Sequence, residues 1–297
     1  MTRGAVLDPP KAVTTHTTAT PRRRVPKRWG LTIIGVIVAL VFLTPYLIML
    51  SGAFKSRQEI LRVPPDYLPG DWRFSNFVNM WSTPETPLPQ NLYSTVVISL
   101  GGTALALVVA LPAAYYTARH QFRLKLPFML LVLVTQMLQP TVLASGLFRE
   151  FVTMDINDTR FAMILVNAAF NLSFAIWIMH SFFATVPKEI EEAAWIDGCN
   201  RGQSLVRIML PLVWPGIVTA IIFTFIACWN EFAASLILLP TDVNQPLTVA
   251  LTKFIGQYES AWQYVFAVSI IGILPVVALF AMIERHLVSG LTAGGVK

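Results

Sequence analysis

The sequence predicts an all-α integral membrane protein with six transmembrane helices and a short cytoplasmic helix between the fourth and fifth. Three observations carry that prediction: an apolar composition, six windows long enough to cross a bilayer, and a biased placement of basic residues. The 297 residues are 55% hydrophobic and only 13% charged, with a mean hydropathy of +0.61, whereas soluble domains carry about a quarter charged residues. Windows free of Asp, Glu, Lys and Arg run over 29–54, 86–118, 126–148, 161–186 and 260–283. Each holds the roughly 20 residues needed to cross the hydrocarbon core. A sixth window, 208–240, is interrupted by Glu231 alone, and Pro215 and Gly216 near its start can bend a spanning helix without preventing the span.

The chain opens on a Thr- and Pro-rich stretch, 1–28, with Arg3, Lys11, Arg22, Arg23, Arg24, Lys27 and Arg28 against the single acid Asp8. Without apolar periodicity this reads as a disordered basic tail. The window after it is longer than the 7–15-residue core of a signal peptide and reads as an uncleaved anchor. Arg22 to Arg24 suggest a twin-arginine address, but their neighbours do not resemble one, so the run reads as topogenic. With this tail inside, six crossings place 119–125, 187–207 and the C-terminus inside as well. Those segments and the tail hold most of the 22 Lys and Arg residues, as the positive-inside rule requires. The expected orientation has both termini cytoplasmic. Membrane lipid is then the partner of the basic excess, and no nucleic acid is needed. The expected divisions are the tail 1–28, a membrane domain 29–289 and a C-terminal tail 290–297.

Between the first two windows, 55–91 is rich in Pro and carries Trp72, Phe74, Phe77 and Trp81. Prolines stiffen its turns, and its aromatics suit either the headgroup level or a partner protein. The segment 187–211 predicts an acidic amphipathic helix after Pro187, with Ile190, Ala193 and Ala194 on an apolar face and Gly198 as a stop or sharp turn. Small Ala193 and Ala194 permit close docking, and Glu191 and Glu192 can pair with basic residues across an interface. An ordinary interfacial connector explains the same pattern.

Glu192-Ala193-Ala194, Gly198, Ile208, Leu210 and Pro211 resemble the cytoplasmic EAA motif of binding-protein-dependent ABC importer permeases. Trp229 to Phe232, the terminal 290–297, and Phe54, Lys55, Ser56, Glu59 and Ile60 resemble the carbohydrate-importing branch, in particular the smaller permease of the maltose type. Cys199 departs from the usual Ala, and Leu205 stands where an aromatic is frequent. The resemblance implies that the 187–203 helix docks on an ATPase, with Glu191, Glu192, Ala193, Ala194, Asp197, Gly198 and Pro211 as coupling residues. It implies that 290–297 reaches toward the ATPase dimer. The partners it implies are a second related permease, two ATPase subunits and an extracytoplasmic substrate-binding protein. The substrate it implies is a sugar or related polyol. A glycerophosphodiester importer of the same type and an ion-coupled secondary transporter are the alternatives, although no three-helix repeat supports the second.

No Gly-Lys dipeptide occurs, so the chain lacks a P-loop, and ATP and Mg belong on a partner ATPase. No cofactor is expected on this chain. His16, His120, His180 and His286 show no metal-ligand spacing. Cys199 and Cys228 suggest no disulfide framework, and no nucleophile–base arrangement suggests an enzyme.

A neutral sugar is held by uncharged hydrogen-bonding groups and aromatic faces. Asn167 and Asn171 share one face of the predicted fourth helix. Gln136 and Gln139 give the third a similar polar strip. Interhelical hydrogen bonding explains each pair equally well. Trp229, Asn230 and Glu231 complete the pathway candidates. Glu231 is a lone acid in an apolar span and therefore a functional candidate. A straight helix from Pro211 advances about 30 Å in 20 residues, which suggests an external gate. In 239–257, Pro240 and Pro246 restrict the backbone, while Asp242, Asn244 and Gln245 offer polar groups. The resemblance implies that this loop enters the binding protein's sugar pocket. A solvated connector has the same composition.

Overall fold

The structure is a computed structural model and describes residues 29–83, 86–256 and 260–293, with side chains through residue 282. The expected tail 1–28 and residues 294–297 lie outside the described residues. The chain divides into two units, one up to Pro45 and the other from Tyr46 onward. Helix α1 (Trp29–Ala53) begins in the first unit. From 29 to 45 it carries no charge and its side chains are exposed, the surface lipid requires of a helix whose backbone groups bond internally.

In the second unit α2 (Arg57–Ile60), α3 (Ser75–Asn79) and α4 (Leu88–Arg119) come first, then α5 (Lys125–Met137), α6 (Pro140–Thr153) and α7 (Arg160–Thr185). There follow α8 (Lys188–Ile196), α9 (Arg201–Ser204), a π-helical turn (Leu205–Met209), α10 (Leu210–Leu212) and α11 (Trp214–Trp229). The last are α12 (Ala233–Leu238), α13 (Leu247–Ala250) and α14 (Trp262–Ala293). Among the described residues there is no β-strand, only an isolated bridge between Ile255 and Ser260. Helix α14 runs four residues into the stretch expected as a C-terminal tail.

Among the described residues four helices are long and apolar enough to cross a membrane: α1, α4, α7 and α14 over Trp262–Met282. The third predicted window is not one helix. Its halves α5 and α6 meet at 93°, because Pro140 pushes the preceding residue out of helical geometry. Gln139 is accordingly extended, with ψ 138°. Gln136 and Gln139 therefore form no single helical strip, which corrects the expectation. The 208–240 window breaks as well, at 81° between Arg201–Leu212 and Trp214–Trp229. Among the described residues there are six candidate spans if each bent pair counts as one.

Helices α4 and α7 form the most extensive contact, with α5 and α11 packed against them. Lipid is as apolar as leucine, so tight packing of small residues, more than hydrophobic burial, joins such helices. Ala110, Ala114, Ala175 and Ala220 are fully buried beside Met179, Phe183 and Met209 near α8. Gly216 lets α11 reach α7, since a Cβ there would lie 2.3 Å from the Phe182 ring. At the opposite end Ile98, Met163, Val166, Ala234 and Leu238 form a second cluster. A third joins Ala53, Met80, Leu88, Phe254 and Val268.

The segment after α1 is ordered by its own polar groups. Ser56 and Glu59 form a reciprocal capping box at α2, and Glu59 also accepts the Gly70 amide at 3.2 Å. These bonds, the Ser56 amide foremost, hold the Glu59 carboxyl below its usual pKa. Phe54 packs on Trp72, Phe74 and Phe77, although Trp72 and Phe74 remain exposed.

Candidate functional site

Helix α8 starts directly after Pro187 and ends in a tight reversal. Gly198 N–H donates to the Trp195 carbonyl at 3.1 Å and Cys199 N–H to that of Ala194 at 3.0 Å, the paired bonds of a Schellman end. Gly198 sits at φ +86°, a conformation in which a Cβ crowds the following carbonyl. Asn200 then caps α9, accepting the Gln203 amide at 2.8 Å.

The faces of α8 are inverted relative to a soluble surface helix. Its buried side chains are Glu191 and Ala194. Its exposed stripe is Glu189, Glu192, Ala193 and Ile196, with Ile196 87% exposed. Trp195 and Asp197 are exposed too. Glu191 was expected, with Glu192, to offer charge to a partner, and the structure corrects this. Its Oε2 lies 3.0 Å from Arg119 Nε, the side chains of Arg119 and Glu191 being 6% and 4% exposed, and its Oε1 accepts the Tyr115 hydroxyl. Arg119 also donates to the Val186 carbonyl at 2.8 Å and touches Met209 Sδ at 3.5 Å. Beside this pair Arg201 Nη1 meets His120 Nε2 at 2.8 Å and lies over the Trp195 ring. Pro211 is exposed in α10. It has no N–H for the Arg207 carbonyl and its ring crowds that group, so the preceding turn widens to π geometry.

The pathway candidates separate. Asn167 is buried, and Asn171 Nδ2 donates to the Asn167 carbonyl at 2.8 Å and approaches Cys228 Sγ of α11 at 3.6 Å. This pair faces a helix junction. Gln136 and Gln139 are exposed on either side of the α5–α6 break. Trp229 and Asn230 line a cavity of about 300 Å³ together with Thr95, Thr248 and Ser269. Trp229 Nε1 donates across it to the Gly272 carbonyl at 2.9 Å.

Glu231 lies where α11 has already stopped, so the straight-helix expectation fails. Its carboxylate accepts the Ala234 amide at 2.7 Å, the Ser235 amide at 2.9 Å and the Ser235 hydroxyl. It caps α12, and the Thr248 hydroxyl donates to its main-chain carbonyl at 2.8 Å.

Asp242, Asn244 and Gln245 were expected to offer free polar groups, and each is bonded within the chain, Asp242 while staying exposed. Gln245 is buried and donates to the Leu239 carbonyl at 2.9 Å. Asn244 donates to the Asp158 carbonyl at 2.7 Å, and Asp242 pairs with Lys253 at 2.6 Å. Two anchors on α4 hold the loop's backbone: Asn91 donates to the carbonyls of Asp242 and Gln245, and Ser94 to that of Val243. Arg160 of α7 reaches the Ser94 hydroxyl at 2.8 Å and the Val243 carbonyl at 3.2 Å.

Comparison with known proteins places this arrangement. A family model described as binding-protein-dependent transport system inner membrane component matches residues 102–292. The chain belongs to that family. It is a multi-pass inner membrane permease of the binding-protein-dependent ABC importer type. This permease is 31% identical to the inner membrane ABC transporter permease protein YcjP of Escherichia coli (strain K12), over 87% of its own length and 92% of that protein's. It is 30% identical to the trehalose/maltose transport system permease protein MalG of Thermococcus litoralis, over 93% and 99%. Its fold matches a chain of a bacterial ABC transporter involved in the import of the acidic polysaccharide alginate, with TM-score 0.73, 22% identity and coverage of 86% and 95%.

Several residues of this permease escaped the sequence reading. Tyr115, Asp158 and Arg160 were not singled out, and Arg119 counted only among the basic residues of the inside segments. Thr95, Thr248 and Ser269 carried a weak signal, as hydroxyls within or beside apolar runs. Nothing local to the sequence pairs Arg119 with Glu191, 72 positions away.

Proposed function

We propose that this permease joins a second related permease to form the pathway of an importer that brings a sugar or related polyol into the cytoplasm. The bilayer is crossed six times, each bent pair counting as one span, with the α8 end and both termini cytoplasmic. ATP and Mg act on two separate ATPase subunits, and an extracytoplasmic binding protein delivers the substrate. The observation that carries this reading is the inversion of α8. A helix that buries a glutamate and exposes Glu192, Ala193 and an 87% exposed Ile196 leaves a mixed acidic and apolar stripe for another protein. Glu189 and Glu192 at the same surface suit a basic rim on the ATPase. Gly198 and Asp197 set the turn beneath it, Pro211 the bend that follows, and 290–297 offers a second contact.

The carbohydrate class is supported by the trehalose/maltose relative and by the cavity beside Trp229. Its polar lining is three hydroxyls, an amide and an indole, set among Met49, Leu247, Leu251 and Ile273, with no charged side chain. Such a lining suits a neutral polyhydroxyl molecule, and a phosphodiester would enter it uncompensated. Asn167, Asn171 and Glu231 act around the pathway as packing and capping groups, and the exposed Gln136 and Gln139 flank the α5–α6 break. The 239–257 loop serves as a fixed docking surface for the binding protein.

The test is ATP hydrolysis by the reconstituted transporter with its binding protein, against a panel of sugars, polyols and glycerophosphodiesters. Stimulation by a neutral sugar or polyol is expected. Stimulation by glycerophosphodiesters alone would move the protein to that class, and uptake driven by an ion gradient without ATP would overturn the importer.

A further inference from the structure

Helix α8 is attached to the rest of the permease chiefly by charge. Of its side chains only Glu191 and Ala194 are buried, and both carboxylate oxygens of Glu191 go to α4, one to Arg119 and one to Tyr115. Tyr115 and Arg119 are four residues apart and so share one face of α4. The Arg119 guanidinium simultaneously grips the Val186 carbonyl at the end of α7 and Met209 in the π-helical turn. A buried ion pair adds little net stability, but separating it strands a charge away from water. The pair therefore fixes one register and resists slippage, which a greasy contact between alanines would not.

Helix α4 is continuous from Leu88 through Pro112 to Arg119. Over the 28 residues from Asn91 to Arg119 it extends about 42 Å at 1.5 Å per residue. At its far end Asn91 and Ser94 hold the 239–257 loop, and between them and Arg119, Thr95 lines the cavity. We infer that Glu191, Arg119 and Tyr115 form the joint through which displacement of α8 is handed to α4, and through α4 to the cavity and the outer loop. They are positioning residues for coupled transport. The inference rests on the reading of α8 as the ATPase-docking helix.

The test uses the complete transporter in proteoliposomes, with Cys199→Ser, Cys228→Ser and a single new cysteine at the exposed Val243. In the parent, ATP with vanadate should change the rate of maleimide labelling at that cysteine. The change should shrink at least fivefold in Glu191→Gln and in Arg119→Lys, the latter keeping the charge but losing the planar fork, while the ATPase subunits still co-purify. The swap of Arg119→Glu with Glu191→Arg should recover more than half of the response lost in Arg119→Glu alone, which ties the response to the pair and not to either side chain by itself. A full response in both conservative variants, or a parent with no ATP-dependent change, overturns the joint. Should those variants fail to insert, Tyr115→Phe decides: a response reduced threefold supports the joint and a full one overturns it. Docking is read separately. ATPase subunits that stay bound to Glu192→Lys and to Ile196→Asp would overturn the docking reading itself.

Discussion

Asn91→Leu tests whether the loop after α12 is a fixed surface. Asn91 is fully buried, and its side-chain amide donates to the carbonyls of Asp242 at 2.6 Å and Gln245 at 2.8 Å. Leucine has a similar volume, so packing on α4 is kept while both donors vanish. Each stranded acceptor costs about 1–3 kcal/mol. Ser94 and Arg160 still hold the Val243 carbonyl, which leaves a net loss of about 2–4 kcal/mol in loop docking. At 1.4 kcal/mol per tenfold, local opening should rise roughly 30- to 700-fold. Hydrogen exchange in lipid nanodiscs reads this directly at the amides of Thr241, Asn244 and Leu247, which are bonded to Asp158, Thr241 and Thr95 respectively. Amides in the middle of α7 serve as the internal control and should not change. Exchange at the three loop amides within about threefold of the parent, in a normally inserted variant, would refute the clamp.

Other expectations follow from the same geometry. Glu192→Lys, on the exposed stripe of α8, should leave thermal stability within about 0.5 kcal/mol of the parent while lowering co-purification of the ATPase subunits; equal recovery of those subunits would show that the stripe is not their site. Gly198→Val should cost about 1–2 kcal/mol because of its φ of +86°, with Gly198→Asn milder, as measured by thermal unfolding in detergent; equal melting of the three proteins would contradict the strained reversal. Glu231→Ala removes the cap of α12 and should cost about 0.5–2 kcal/mol in the same assay. On intact cells an impermeant thiol reagent should label a cysteine at Val243 and spare one at Gln203, and the opposite pattern would invert the proposed orientation.

How much could be read in advance differs from element to element. The apolar windows around α1, α4, α7 and α14 were plain, because a span must be apolar over its whole length and satisfy its backbone within itself. Gly198 was legible for a similar local reason, since little else suits a left-handed turn at the end of a helix. The breaks were half-legible. Pro215 marked where a helix can yield, Pro140 was passed over, and neither told that the halves would turn by 81° and 93°.

Helix α8 shows where local reading stops. Its length, its start after Pro187 and its acidic character are properties of consecutive residues, and the sequence by itself determined them. Amphipathic periodicity then placed both Glu191 and Glu192 toward a partner, because it treats every carboxylate as seeking water. Only the tertiary structure decided that Glu191 turns inward, since Arg119 arrives from another helix and makes burial of the charge tolerable. The same holds for Asn244 and Gln245: their polarity was evident in the sequence, but Asp158, and the Leu239 carbonyl folded back over the loop, took up their hydrogen bonds. Composition fixes how many polar groups a segment must satisfy, and only the packed chain supplies the partners that satisfy them.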